Sequence, residues 1–175
     1  MGSINLVLFE PEIPHNTGNI MRTCLATNTI LHLIEPLGFS LDSKNLKRSG
    51  ANYEFVKDVT YHTYQSLDEF FEKNHGEFYF LTRYGNHGLY DVDCKDVNKD
   101  YYFILGKEST GLPWNLLHQH LDKCIRLPMT DKVRALNLSN VAAIIVYEAL
   151  RQQGFPNLFN EEPEIFKGSN FLIKE

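Results

Sequence analysis

The sequence predicts an α/β domain with a largely parallel sheet, on three observations. Short apolar runs bounded by breakers recur along the chain: INLVLF (4–9), ILHLIE (30–35), EFYFLTR (77–83), YYFIL (101–105) and KCIRLP (123–128). Each has the length of a buried strand. Segments with helical spacing lie between them, and strands that alternate with helices are joined by crossovers, hence parallel. Finally, 175 residues make one domain with a proper core.

The elements follow in order. INLVLF is closed by Pro11 and Pro14. A helix is expected from Asn16, whose side chain can cap it, with Ile20, Cys24, Ala26 and Thr27 continuing an amphipathic pattern. ILHLIE ends at Pro36 and Gly38. Residues 58–62 suggest a short strand, and SLDEFFEKN (66–74) a helix with Leu67, Phe70 and Phe71 facing inward. Beyond the strands at 77–83 and 101–105, Pro113 is placed to open a helix at its first position, carrying Leu116 and Leu117. The strand at 123–128 precedes the longest helix, LNLSNVAAIIVYEALRQQ (136–153), which Gly154 is placed to end. NEEPEIFKGSNFLIKE is a polar tail with a few apolar residues. The division expected is a domain over 1–159 and a tail over 160–175.

Composition excludes several classes. No apolar run approaches the roughly 20 residues of a membrane span, and the N-terminus lacks a basic region or a cleavage-like site. Cys24, Cys94 and Cys124 are odd in number and widely separated, which suits a reducing cytoplasm better than a disulfide framework. His118 and His120, two apart on a predicted helix, point away from each other, so no metal site is expected. The net charge is −5, but its distribution matters more. Residues 61–100 carry eight acids against four bases, residues 101–151 four acids against six bases, and Lys44, Lys47 and Arg48 form another basic cluster. These counts are compatible with a basic face on an acidic protein.

The stretch ILGKESTGLP (104–113) has the glycine spacing of a phosphate-binding loop, yet Leu112 and Pro113 stand where such a loop needs Lys and then Ser or Thr. PHNTGNIMR (14–22) and IRLPMTDKVRALNLSN (125–140) also begin at or near a strand end and run into a helix. In open α/β sheets ligands bind at that edge. Taken singly, each segment can be a plain connection: Gly18 for packing, Pro128 ending a strand, Asn137 capping a helix.

Taken together, the three segments resemble the ordered motifs of the SPOUT class of RNA methyltransferases. NTGNIMR resembles the first motif, LGKESTGLP the second, and IRLPM followed by LNLSNVAAIIVYEALRQ the third, over roughly residues 4–156. The branch it most resembles is the short one, the tRNA wobble-nucleotide 2′-O-methyltransferases. This resemblance implies a SPOUT-type parallel-sheet domain with a C-terminal deep trefoil knot, a homodimer with a shared active site, and S-adenosylmethionine as methyl donor. By position it assigns Leu81, Gly106, Ile125, Leu127, Ala135 and Leu136 to the cofactor, with Glu108 as a polar anchor or, equally, a cap for the helix near Pro113. Arg22 is the residue tied to catalysis, and Asn140 supports its geometry. His15 is a less favoured candidate base. RNA contacts are expected from Asn16, Lys44, Lys47, Arg48, Lys107, Lys132 and Arg134. The reaction implied is 2′-O-methylation of the wobble nucleotide, C or modified U, in a tRNA anticodon loop, with a leucine tRNA as the expected substrate. The alternatives are another RNA, such as ribosomal RNA, or a non-catalytic RNA-binding module.

Overall fold

A computed structural model of the chain describes residues 1–41 and 53–173. Seven strands form one sheet: β1 (Ile4–Phe9), β2 (Ile30–Ile34), β3 (Tyr61–Tyr64), β4 (Glu77–Leu81), β5 (His87–Gly88), β6 (Tyr101–Leu105) and β7 (Cys124–Arg126). Their order is β3-β2-β1-β6-β4-β7-β5, and every neighbouring pair is parallel. Among the described residues, four α-helices accompany them: α1 (Pro14–Thr27), α2 (Leu67–Lys73), α3 (Trp114–Gln119) and α4 (Leu138–Gln152).

The strand residues alternate between two apolar layers, as the pleat requires. Leu6, Leu8, Leu31, Leu33, Phe103 and Leu105 face Ile20, Met21 and Cys24 of α1 and Val141, Ala142 and Ile145 of α4. Val7, Ile34, Phe80 and Ile104 face the other way, onto Phe70 of α2 and the partly buried Leu116 and Leu117 of α3. Covered on both faces, β1 and β6 are buried at every residue. That is why both read as unbroken apolar runs. Leu67 and Phe71 are only partly buried against the second layer.

Several expected boundaries move. The first helix begins at Pro14 rather than Asn16, with no side-chain cap from its own sequence. Proline fits there because the first-turn N–H it lacks has no helical partner. The short strand lies at 61–64 rather than 58–62, after a 3₁₀ turn at Tyr53–Asp58. The strands expected at 77–83 and 123–128 stop at Leu81 and Arg126. Pro113 precedes α3 instead of occupying its first turn. The last helix starts at Leu138, where Asn137 Oδ1 accepts the Ser139 N–H at 2.9 Å. Gly154 follows its end with φ +73°, a conformation glycine adopts without a Cβ penalty.

Candidate functional site

The sheet order reverses beside β1, with β2 on one side and β6 on the other. The crevice at the carboxyl ends of strands around such a reversal is where open α/β sheets bind ligands. Of the segments that leave the sheet at this edge, four converge: residues 10–13 after β1, 82–85 after β4, 106–113 after β6 and 127–137 after β7. The strands beneath are rigid and buried, so the loops inherit fixed starting points.

The loop after β6 folds back on itself. Gly111 N–H donates to Lys107 O at 2.9 Å, and Gly111 sits at φ +75°. A Cβ on Gly106 would stand 2.2 Å from the Gly111 carbonyl carbon and 2.3 Å from Leu112 N. Both glycines therefore serve the turn itself. Gly106 allows close approach first between two parts of this loop, and only through that shape to a ligand.

The four segments enclose a cleft of about 630 Å³, within the usual range for a small-molecule site. Leu81, Leu112, Leu117, Leu127, Leu136 and Val141 supply apolar walls. Among the described residues, its basic lining is Arg83, Lys107, Arg126 and Arg134, against a single acid, Glu108.

A chain of side-chain hydrogen bonds ties the three motifs together at this cleft. Asn137 Nδ2 donates to Asn16 Oδ1 at 3.0 Å, and Asn16 Nδ2 donates to Glu108 Oε1 at 2.9 Å. The Glu108 carboxylate also accepts the backbone N–H groups of Glu12 (2.9 Å) and Ile13 (3.3 Å). Glu108 thus supplies acceptors at the start of α1, which its own sequence leaves uncapped. Its charge there also complements the helix dipole. Asn16, 3% exposed, has the one donor and one acceptor that this bridge needs. Beside it, Glu12 accepts the Ser109 N–H and hydroxyl, each at 2.8 Å. These two bonds, the hydroxyl's first, hold the Glu12 carboxyl below its ordinary pKa. Lys107 Nζ is paired with Glu10 at 2.6 Å, a hydrogen bond that raises the lysine above its ordinary pKa.

Of the cofactor candidates, Leu81, Gly106, Glu108, Leu127, Ala135 and Leu136 line the cleft. Ile125 does not line it. It is 1% exposed within the core, and its carbonyl accepts Thr82 N–H at 3.0 Å. Glu108 caps α1 rather than the helix near Pro113. Asn16, Lys107 and Arg134, expected to meet RNA, line this same cleft, and Lys132 is exposed on the loop after β7. Arg22 and Asn140 are exposed on α1 and α4 and are not among its lining residues. His15 is also exposed. Lys44, Lys47 and Arg48 lie outside the described residues. His118 stacks on Trp114 and His120 on Phe80. Among the described residues, no three His, Cys, Asp or Glu side chains converge on a possible metal position. No described helix is long and apolar enough to cross a membrane.

Sequence reasoning missed Thr82, Arg83, Tyr84 and Met129, which complete the walls, and the bond from Asn137 to Asn16. The first three follow a strand's carboxyl end, and that position was the available signal.

The family model described as SpoU rRNA Methylase matches residues 3–147. A chain from Listeria monocytogenes serotype 4b (strain F2365) is 58% identical over 158 residues, covering 90% of this chain and 92% of its own length. A protein from Escherichia coli (strain K12) named tRNA (cytidine(34)-2′-O)-methyltransferase is 41% identical, covering 87% of this chain and 96% of its own. A solved structure described as giving structural insights into the 2-OH methylation of C/U34 on tRNA superposes with a TM-score of 0.77. It has 35% identity and covers 87% of this chain and 97% of that one.

Proposed function

Because the chain belongs to the SpoU rRNA methylase family, we propose that it methylates the ribose 2′-OH of the wobble nucleotide, C or modified U, in a tRNA anticodon loop. S-adenosylmethionine is the methyl donor; a leucine tRNA is the substrate we favour. The observation that carries this reading is the Asn137–Asn16–Glu108 chain, which joins all three motifs at one apolar cleft.

The residues present fit such a donor. The cleft floor is leucine side chains and glycine backbone, suited to the faces and edge of an adenine. Its loop lysine is held by Glu10, so it does not present the free cation a triphosphate would require. Leu81, Gly106, Leu127, Ala135 and Leu136 would hold the cofactor, with Glu108 keeping the loop and α1 in register. When bound, S-adenosylmethionine supplies an electrophilic methyl group on a sulfonium.

The chain's own residues then position the nucleophile and exclude water. Arg22 is assigned to the RNA phosphate, lowering the 2′-OH pKa through its charge. A guanidinium stays protonated to a pKa above roughly 12, which makes it a poor general base. Asn140 orients the ribose by hydrogen bonding, and Arg134, Lys132 and the cluster Lys44, Lys47 and Arg48 contact the backbone.

Arg22 and Asn140 do not line the cleft of their own chain; they are exposed on α1 and α4, which pack against each other. That arrangement favours a homodimer in which these helices form the two-fold interface and each site draws on both chains. The proposal includes the family's C-terminal trefoil knot, a catalytic domain over 1–159 with a tail over 160–175, and action in the cytoplasm, where tRNA is modified.

The test is to incubate purified protein with tRNA and labelled S-adenosylmethionine and to map 2′-O-methyl nucleotides by mass spectrometry. The wobble nucleotide should carry the methyl group, and tRNA with a 2′-deoxy wobble ribose should accept none. Undiminished incorporation into the deoxy substrate would refute the reading.

A further inference from the structure

Resting on the reading of this chain as an RNA methyltransferase, we propose that Trp114 is a nucleobase-stacking site on the rim of the cleft, taking an unpaired base of the RNA substrate. Trp114 is the sequence's single tryptophan, and 70% of it is exposed. Its ring lies parallel to that of His118, with centroids 4.7 Å apart and 12° between planes. One indole face is thereby backed and held, and the other meets solvent.

Core packing does not explain this residue. Leu116 and Leu117 dock α3 onto the sheet, and Trp114 adds nothing to either layer. Its place in the fold does point to a ligand. Trp114 opens α3 directly after the loop that forms the cleft floor, and Leu117, three residues on and so on a neighbouring helical face, lines the cleft. The cleft itself carries an exposed aromatic: Tyr84, 70% exposed, lines it, with the Arg83 guanidinium 4.7 Å from its ring centroid.

The charge around these rings favours RNA over a protein partner. Arg83, Arg126 and Arg134 line the cleft, and its one acid, Glu108, is engaged by the start of α1. A ring held rigidly on one face, as His118 holds Trp114, next to a cleft lined by guanidinium groups is how proteins grip unstacked bases while the phosphates are neutralised. A loop nucleotide whose ribose enters the cleft leaves neighbouring bases unstacked, and Trp114 would receive one of them.

Because Trp114 is the only tryptophan, selectively excited emission reports on it alone. The probe is an anticodon stem-loop RNA, compared with the same RNA carrying abasic nucleotides through its loop, both titrated without turnover. The intact RNA should quench emission strongly and the abasic RNA should not. Trp114→Ala should weaken equilibrium binding of the intact RNA about tenfold, within what base–aromatic stacking contributes. Trp114→Phe should restore most of it, and S-adenosylmethionine affinity should stay within threefold in both variants. Equal quenching by the abasic RNA, or wild-type RNA affinity in Trp114→Ala, would overturn the stacking site. Methyl incorporation is measured separately: its absence in the wild-type protein overturns the proposed activity, whereas the stacking site is decided by the binding and fluorescence arms.

Discussion

Replacing Asn16 with Asp tests whether the chain of hydrogen bonds at the cleft is what registers the three motifs. The exchange keeps the size of the side chain and its acceptor facing Asn137 but puts a carboxylate where an amide donated to Glu108 Oε1 at 2.9 Å. Two carboxylates with charge centres about 4 Å apart repel by about 4 kcal/mol at an effective dielectric of 20. Sharing a proton relieves this, and binding that proton at pH 7 to a group with an unperturbed pKa near 3.9 costs about 4 kcal/mol. The loss at pH 7 is therefore about 4 kcal/mol by either route. The folded state of this variant holds a proton that the unfolded state releases, so its stability falls as pH rises above the unfolded carboxyl range, by about 1.4 kcal/mol per pH unit. At pH 5.5 the loss should shrink to about 2 kcal/mol. Asn16→Ala instead removes one bond to a carboxylate and one to an amide, about 2 kcal/mol with no pH dependence. Urea unfolding of both variants at pH 5.5, 6.25 and 7, at one protein concentration and referred to the wild type, gives the comparison. The two should coincide near pH 5.5 and diverge by about 2 kcal/mol at pH 7; parallel curves would refute the Asn16–Glu108 contact.

Arg22→Ala should lower methyl transfer at least about 100-fold while leaving S-adenosylmethionine affinity within threefold by calorimetry; near-normal turnover would remove Arg22 from the proposed mechanism. Gly106→Val should cost both cofactor affinity, more than tenfold, and stability, because its Cβ would lie 2.2 Å from the Gly111 backbone; wild-type calorimetry and urea midpoints would contradict this. His32, hydrogen-bonded to Tyr64 and Asn5, has its pKa pushed down to about 4, by burial first and by His62 second. The unfolded chain then binds the proton at a higher pH than the folded one, so stability is full above about 6.5 and is lost as pH falls toward 4. Between pH 7 and 5 the loss should be about 2 kcal/mol, and His32→Gln should abolish that dependence; an unchanged pH slope in this variant would refute it.

What the sequence disclosed follows from how each element is held. INLVLF and YYFIL were legible to the residue because strands covered on both faces need continuous apolar side chains. His87–Gly88 was not, since two residues without apolar character pair with β7 only through backbone. The strands at 77–83 and 123–128 read long because Thr82, Arg83 and Leu127 keep the composition of a strand after leaving the sheet to line the cleft. Ile125 was assigned to the cofactor with Leu127, but two residues further down a strand is about 7 Å deeper, inside the core. Asn16 looked like a local cap; its partners Glu108 and Asn137 are 92 and 121 residues away. No local pattern encodes a contact at that separation.

The question raised by a glycine loop without its phosphate-binding residues has a structural answer. The loop does contain a lysine, but Lys107 is turned to Glu10 at 2.6 Å, with its ammonium 5.8 Å from the Phe9 ring centroid. The neighbouring carboxylate of Glu108 is likewise spent on the N–H groups of Glu12 and Ile13, just before α1. Both charges of the Lys-Glu pair are satisfied by the segment after β1, and Ser109 is held by Glu12 on that same segment. The loop therefore keeps its turn through hydrogen bonds made behind it, and the charges it brings to the cleft lining, Lys107 and Glu108, are already paired. A free ammonium there would attract phosphate and repel a sulfonium; a lysine already neutralised does neither. The same segment begins α1, the helix that carries Arg22. Shaping the loop and aiming that helix are thus one set of contacts, and damage at Glu108 or Asn16 should reach both the cleft and Arg22, the arginine proposed to face RNA.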